Sequence, residues 1–244
     1  MNRLEVVKDV LRRTTPGAVA AFRMARLFVA NRRMSLGNVF TDIFARNDWG
    51  SAESRSGPGS ELDATGSVRR ALPALLSELQ VRILLDVPCG DLHWMKEVAL
   101  DTIRYIGADI VPELIADNAT RFRSTLREFI VLDLTRGPLP QADLVLCRDC
   151  FIHFSYRHIR NALRTIRASG STYLLATTNP RVRQNHDIIT GSYRPINLER
   201  PPFGFPPPIR YLAESPVRGP GPGDERHQRE DCLGLWRIRD LPSE

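Results

Sequence analysis

From Val81 onward, apolar runs bounded by turn residues alternate with amphipathic segments of helical period, and no other feature of the 244-residue chain restricts its fold as much. Strands are predicted at 82–86, Arg104–Asp109, 129–133, 143–147 and 172–177. Helices are predicted from about His93, over Pro112–Phe122 and over Tyr156–Ala168. Such alternation builds a parallel α/β sheet covered by helices on both faces. Ligands in these sheets bind beyond the carboxyl ends of the strands, where the strand order reverses. Those ends are where the chemistry is to be sought.

Acidic residues close or follow four of the strands: Asp86, Asp109, Asp133 and Asp149. One such aspartate is as often a turn or cap residue as a ligand contact. A series is harder to dismiss. Asp109 lies 23 residues after Asp86, close to the ~20-residue offset at which a carboxylate accepts from ribose hydroxyls.

The flanks read differently. Residues 1–48 form an N-terminal helical extension, with two basic amphipathic helices in 3–33 broken at Thr14-Thr15-Pro16-Gly17. Such a piece can lie on an anionic membrane surface, although packing on its own domain or in a homodimer is commoner. Residues 49–66 open with the glycine- and serine-rich run from Trp49 to Ser60, a linker by composition, and a helix is predicted at 67–79. Residues 179–223 are rich in proline and exclude a central strand or helix over most of their length. Segments 209–214 and 233–238, joined by Gly219-Pro-Gly-Pro-Gly-Asp224, predict a terminal antiparallel pair.

The length suits one α/β domain with appendages and is too short for two full domains. No run reaches the ~20 apolar residues of a membrane-spanning helix, and the start has no signal-peptide pattern. The net charge of +6 comes from arginines spread along the chain, whereas a nucleic-acid site needs a concentrated basic stripe. No nucleic-acid partner is expected. Cys89, Cys147, Cys150 and Cys232 read as reduced thiols of a cytoplasmic protein. Cys147-Arg-Asp-Cys150 has redox or zinc spacing, yet no second ligand pair accompanies it and it opens no thioredoxin-like unit, so no metal is predicted.

The run Asp86-Val-Pro-Cys-Gly-Asp91, followed by Trp94-Met95, resembles the cofactor loop of class I S-adenosylmethionine-dependent methyltransferases, most closely a bacterial branch with the pattern D-x-P-C-G-D. Tyr105-Ile-Gly-Ala-Asp109-Ile110, Leu139-Pro-Gln-Ala-Asp-Leu144, Cys147-Arg148-Asp149 with His153, Pro201-Pro-Phe203 and Leu233-Gly-Leu-Trp236 carry the likeness from about Trp49 onward. The resemblance implies a Rossmann-like sheet with S-adenosyl-L-methionine as cofactor, in a catalytic domain at 49–244. By the same likeness Pro88, Cys89, Gly90 and Asp91, with Asp86 and Trp94, approach the methionine moiety and Asp109 with Ile110 the ribose. Asp133 with Leu134 would meet the adenine, and Cys147 and Arg148 the sulfonium, while residues 49–66, with Trp49 and Ser60, become a lid. One departure is Pro88 in place of the family's glycine. Proline has no N–H to offer, so close approach must rest on Gly90.

Asp149 and His153 follow the fourth strand on the side where a methyl acceptor enters, and are the predicted catalytic pair. His153 would be a general base for a hydroxyl, with Asp149 orienting it or the acceptor; equally, His153 could cap or pack beneath the helix that follows. Asn179, Asn185, Asp187, Arg194 and Phe203 are candidate acceptor contacts in the 179–223 loop, and Phe203 could as well be a core staple. No Asn-Pro-Pro-Tyr-like element follows the fourth strand, which favours a small-molecule or glycan hydroxyl as acceptor. A non-catalytic cofactor-binding scaffold is the alternative. An NAD-dependent oxidoreductase would need the G-x-G-x-x-G run that Pro88-Cys-Gly-Asp91 lacks.

Overall fold

In a computed structural model, which describes residues 24, 25, 27, 34–214 and 231–243, seven strands form one sheet in the order β3-β2-β1-β4-β5-β7-β6. The strands are β1 Ile83–Asp86, β2 Arg104–Asp109, β3 Arg127–Val131, β4 Leu144–Cys147, β5 Tyr173–Thr178, β6 Arg210–Ala213 and β7 Cys232–Arg237. β1 to β5 are parallel, and β7 runs antiparallel between β5 and β6. The chain winds outward from β1 through β2 to β3, then returns to lay β4 on the other side of β1. The strand order therefore reverses between β1 and β4, which fixes the ligand crevice at their carboxyl ends.

The helices are α1 Leu36–Arg46, α2 Leu62–Glu78, α3 Pro112–Phe122 and α4 Tyr156–Ala168. Each has a local reason. The Ser35 hydroxyl caps α1 by accepting from Asn38 N at 3.2 Å, and Asn47 ends it in the left-handed region. Pro112 opens α3 at a position where a missing N–H costs nothing. In α4, Ile159, Ala162, Leu163 and Ile166 bury one stripe against the sheet while four arginines lie along the helix. The core is continuous, running through Leu84, Leu85, Val145, Leu146, Leu174 and Leu175 of the central strands, none of them measurably exposed.

The predicted alternation survives with three corrections. No α-helix follows β1: Leu92 takes a positive φ, and only the single turn Met95–Glu97 separates β1 from β2. Trp94, Met95, Val98 and Leu100 are all buried there; the first three have helical spacing, but a single turn is enough to bury them. The predicted strand 129–133 is shifted to Arg127–Val131, where it pairs residue for residue with Tyr105 to Asp109. The helix expected at 67–79 begins at Leu62, its start obscured by Gly66 and Ser67, poor helix formers. The two helices read from 3–33 and the loop at 219–224 lie largely outside the described residues. Among the described residues, no helix is long and apolar enough to cross a membrane.

Candidate active site

A cleft opens at the reversal point of the sheet, lined on the strand side by Asp86 of β1, Asp109 of β2 and the turn after β4. Opposite them stand Leu36, Phe40 and Phe44, one face of α1 at a spacing of four, with Trp49. Ile110, Val111, Leu114, Leu132 and Leu134 complete an apolar wall beside Asp109. The chain thus builds a greasy slot with carboxylates at its floor.

Those carboxylates are buried and uneasy. Asp86 is 2% exposed, and although Tyr105 Oη donates to it at 2.7 Å, burial pushes its pKa up to about 7. Asp109, 7% exposed, accepts from Val111 N at 3.1 Å and Gly90 N at 3.2 Å; burial still outweighs these bonds and raises it to about 6. A positively charged ligand lying against the two would be favoured, and would favour their ionised forms in return.

The 49–60 segment is ordered against the β1 loop. Asp91 does not line the cleft; its carboxylate accepts from Ser54 Oγ at 2.9 Å and Arg55 N at 2.7 Å, and its own N–H donates to Ser56 Oγ. Gly90, at φ +56°, has no room for a side chain, because a Cβ would stand 2.2 Å from Ser56 Oγ. The space glycine leaves is taken by the serine of this segment. Asn118 of α3 holds the same loop from behind, donating from Nδ2 to Gly90 O at 2.7 Å.

Arg148 ties three elements together. It is buried, with Nε 2.5 Å from Glu214 Oε1, Nη2 2.7 Å from Gly59 O, Nη1 3.3 Å from Asp149 Oδ2 and its guanidinium 5.4 Å from the Trp94 ring centre. A lysine keeps the charge but cannot present this fork. Arg148→Lys is therefore expected to lower unfolding stability by about 1–2 kcal/mol, through the lost carbonyl bond and poorer pairing, and urea denaturation of the two proteins side by side measures it.

His153 sits in the turn Phe151–His153 after β4. Its Nδ1 is 2.8 Å from Ser192 O; since a carbonyl only accepts, the neutral ring carries its proton on Nδ1 and its lone pair on Nε2. The ring lies between Trp49, at 5.5 Å between centroids, and Tyr193, at 6.1 Å. Asp149, at φ +52°, donates its N–H to Thr177 Oγ1 at 2.8 Å.

Of the residues singled out in the sequence, Trp49, Ser60, Asp86, Pro88, Cys89, Gly90, Trp94, Asp109, Ile110, Leu134, Arg148, Asp149 and His153 meet along this cleft. Asp91, Asp133 and Cys147 are not in its lining: Asp133 caps a turn through Thr135 N and Oγ1, and Cys147 is buried within β4. The five residues of the 179–223 loop are also outside the lining and have other partners. Asn179 bonds Asp231, Asn185 holds the Asn197 and Pro201 carbonyls, and Asp187 accepts from the first N–H of α4. Arg194 is buried, and Phe203 packs edge-on against Tyr156. Phe40, Phe44, Ser56, Cys150 and Phe154 line the cleft without having been singled out. The spacing of Leu36, Phe40 and Phe44 was the available signal for the first two. The cysteines are free thiols, and burial raises those of Cys89 and Cys150 well above the usual range.

Residues 84–169 match the family model for a methyltransferase domain. No curated protein matches the chain. Similar solved structures include the methyltransferase domain of bacterial CtHen1, at 10% identity over 70% of this chain and 97% of that one, with a TM-score of 0.47. Human N-acetylserotonin methyltransferase in complex with S-adenosylmethionine is 14% identical over 69% of this chain and 51% of that one, TM-score 0.47. Magnesium protoporphyrin IX methyltransferase from Synechocystis with bound S-adenosylmethionine is 14% identical over 63% and 81%, TM-score 0.44.

The matched segment spans β1 through α4 and carries the floor of the cleft, the stretch that the resemblance to S-adenosylmethionine-dependent methyltransferases assigns to the cofactor. The residues present fit that cofactor. A sulfonium complements two buried carboxylates, ribose hydroxyls complement Asp109, and a flat adenine suits the Ile110, Leu132 and Leu134 wall.

Proposed function

We propose that this chain methylates a hydroxyl of a small-molecule or glycan acceptor, with His153 as general base. The observation that carries this reading is the imidazole at the cleft wall, its Nδ1 held by Ser192 O so that Nε2 offers the lone pair. The bound cofactor supplies the methyl group. Asp109 orients the ribose, Asp86 and the loop of Pro88, Cys89 and Gly90 face the methionine end, and Leu134 with Ile110 packs the adenine. Trp49 and Ser60 of the 49–66 segment close the slot above, with Arg148 holding Gly59 down.

Transfer requires the acceptor oxygen in line with the methyl group at about 3 Å, so alignment between the aromatic rings and Asp149 supplies much of the rate. Nε2 takes the hydroxyl proton as the oxygen attacks. Asp149, bonded through its backbone to Thr177 and lying beside Arg148, orients the acceptor.

The test is incubation of the purified protein with methyl-labelled S-adenosylmethionine and fractions of hydroxylated small molecules and oligosaccharides. Alkali-stable label in an ether product is the expected result. Label found only in amines or thiols, from a protein that binds the cofactor, would refute the hydroxyl acceptor.

A further inference from the structure

Arg194 is 1% exposed, a cation deep in the protein, and burial pulls its pKa down to about 10. Its guanidinium is satisfied by backbone oxygens: Nη1 donates to Phe151 O at 2.7 Å, Nη2 to Phe154 O at 2.9 Å and Nε to His186 O at 3.1 Å. The Tyr156 ring lies 5.7 Å away. Taking such a charge out of water is costly unless its donors are met, and a hydrocarbon side chain would fill the volume without that cost. What the arginine adds is a planar fork that grips several carbonyls at once.

Two of the three gripped carbonyls belong to residues on either side of His153. Phe151 opens its turn and Phe154 follows it. The segment that carries Arg194 continues the grip, with Arg194 N donating to Ile152 O at 3.0 Å, Gly191 N to His153 O at 2.8 Å, and Ser192 O receiving His153 Nδ1 at 2.8 Å. Its glycine is closely packed. Gly191 sits at φ +94°, and a Cβ there would stand 2.8 Å from Leu27 Cδ2 and 2.9 Å from Ile43 Cδ1.

We propose that Arg194 is a positioning residue for His153: by fixing the two carbonyls that bracket it, Arg194 holds the ring where Nδ1 meets Ser192 O and Nε2 carries the lone pair. The geometric part stands without the catalytic one; the effect on turnover rests on the reading of His153 as the base.

Two variants, Arg194→Lys and Arg194→Met, separate these. Nitrogen-15 NMR of histidine-labelled protein reads the His153 tautomer with no acceptor needed, calorimetry reads S-adenosylmethionine affinity, and turnover is followed on the product of the labelling assay. In the wild type the Nδ1–H tautomer should dominate. Arg194→Lys should keep cofactor affinity within about twofold, show a resolved Nε2–H population, and lose about 10–100-fold in kcat, part of what positioned proton transfer contributes. Arg194→Met should go further; if it does not fold, the lysine variant carries the test. An unchanged tautomer in a folded, cofactor-binding variant overturns the proposal whatever the turnover does. A changed tautomer with unchanged kcat supports the positioning role and instead removes His153 as the base.

Discussion

His153→Asn is expected to lower kcat by about 10²–10⁴-fold, the usual contribution of positioned proton transfer, while S-adenosylmethionine affinity stays within about twofold. Asparagine is a fair substitute for everything except the base. Its amide N–H can occupy the place of Nδ1–H and still donate to Ser192 O, so the turn and the 189–194 segment keep their join. Nothing then replaces the Nε2 lone pair. Asp149→Asn should also be slow, and if the two residues serve one aligned acceptor, the double variant should be little worse than the worse single one. Should His153→Asn keep more than about a tenth of kcat, alignment alone drives the reaction and the ring is a packing element between Trp49 and Tyr193.

The fold was legible because α/β alternation writes itself in periodicity. Pro112–Phe122 and Tyr156–Ala168 match their predicted bounds, and Arg104–Asp109 matches as a strand. The segment after β1 was misleading for the same reason: Trp94, Met95 and Val98 have helical spacing, yet the chain there is shaped by the positive φ of Gly90 and Leu92 and by bonds to residues some 35 positions earlier. The strand-end aspartates show a similar limit. Asp86 and Asp109 face the cleft, whereas Asp133 spends its carboxylate on the next turn, and a two-residue shift of β3 separates the cases. Polar density in 179–223 pointed to ligand recognition. In the structure Asn185, Asp187 and Arg194 satisfy backbone groups of the loop itself, of the start of α4 and of the turn after β4, a use that composition alone cannot distinguish from a binding surface. Long-range partners, the quantity that decides such cases, are what a single sequence does not state.

The remaining large effect concerns Asp109, whose replacement by alanine should weaken cofactor binding by about 10–150-fold at pH 8, because ribose hydroxyls lose a charged acceptor worth about 1.5–3 kcal/mol. The wild type should show the same interaction as a pH dependence. Burial raises Asp109 to about 6 and Asp86 to about 7 in the free protein. At pH 5.5 both are largely neutral, and a sulfonium must either release their protons or forgo their charge. Affinity for S-adenosylmethionine should therefore climb between about pH 5.5 and 7.5 and level off above, with proton release on binding seen as a dependence of the calorimetric enthalpy on buffer. S-adenosylhomocysteine, whose sulfur is uncharged, should show a shallower climb. Stability of the free protein moves the other way: a carboxyl whose folded pKa is raised binds more protons folded than unfolded, so its contribution is complete below the ordinary carboxyl range, about 4, and is lost as pH rises to about 7. Because a ligand stabilises the folded state in proportion to the logarithm of its concentration over Kd, the Tm shift on adding ligand follows the affinity, and the trend of the free protein cancels in the difference. The rise in Tm on adding S-adenosylmethionine should be larger at pH 8 than at pH 5.5. An equal rise at both, or the same slope in Asp109→Ala and Asp86→Asn as in the wild type, would mean that these carboxylates do not face the cofactor's charge.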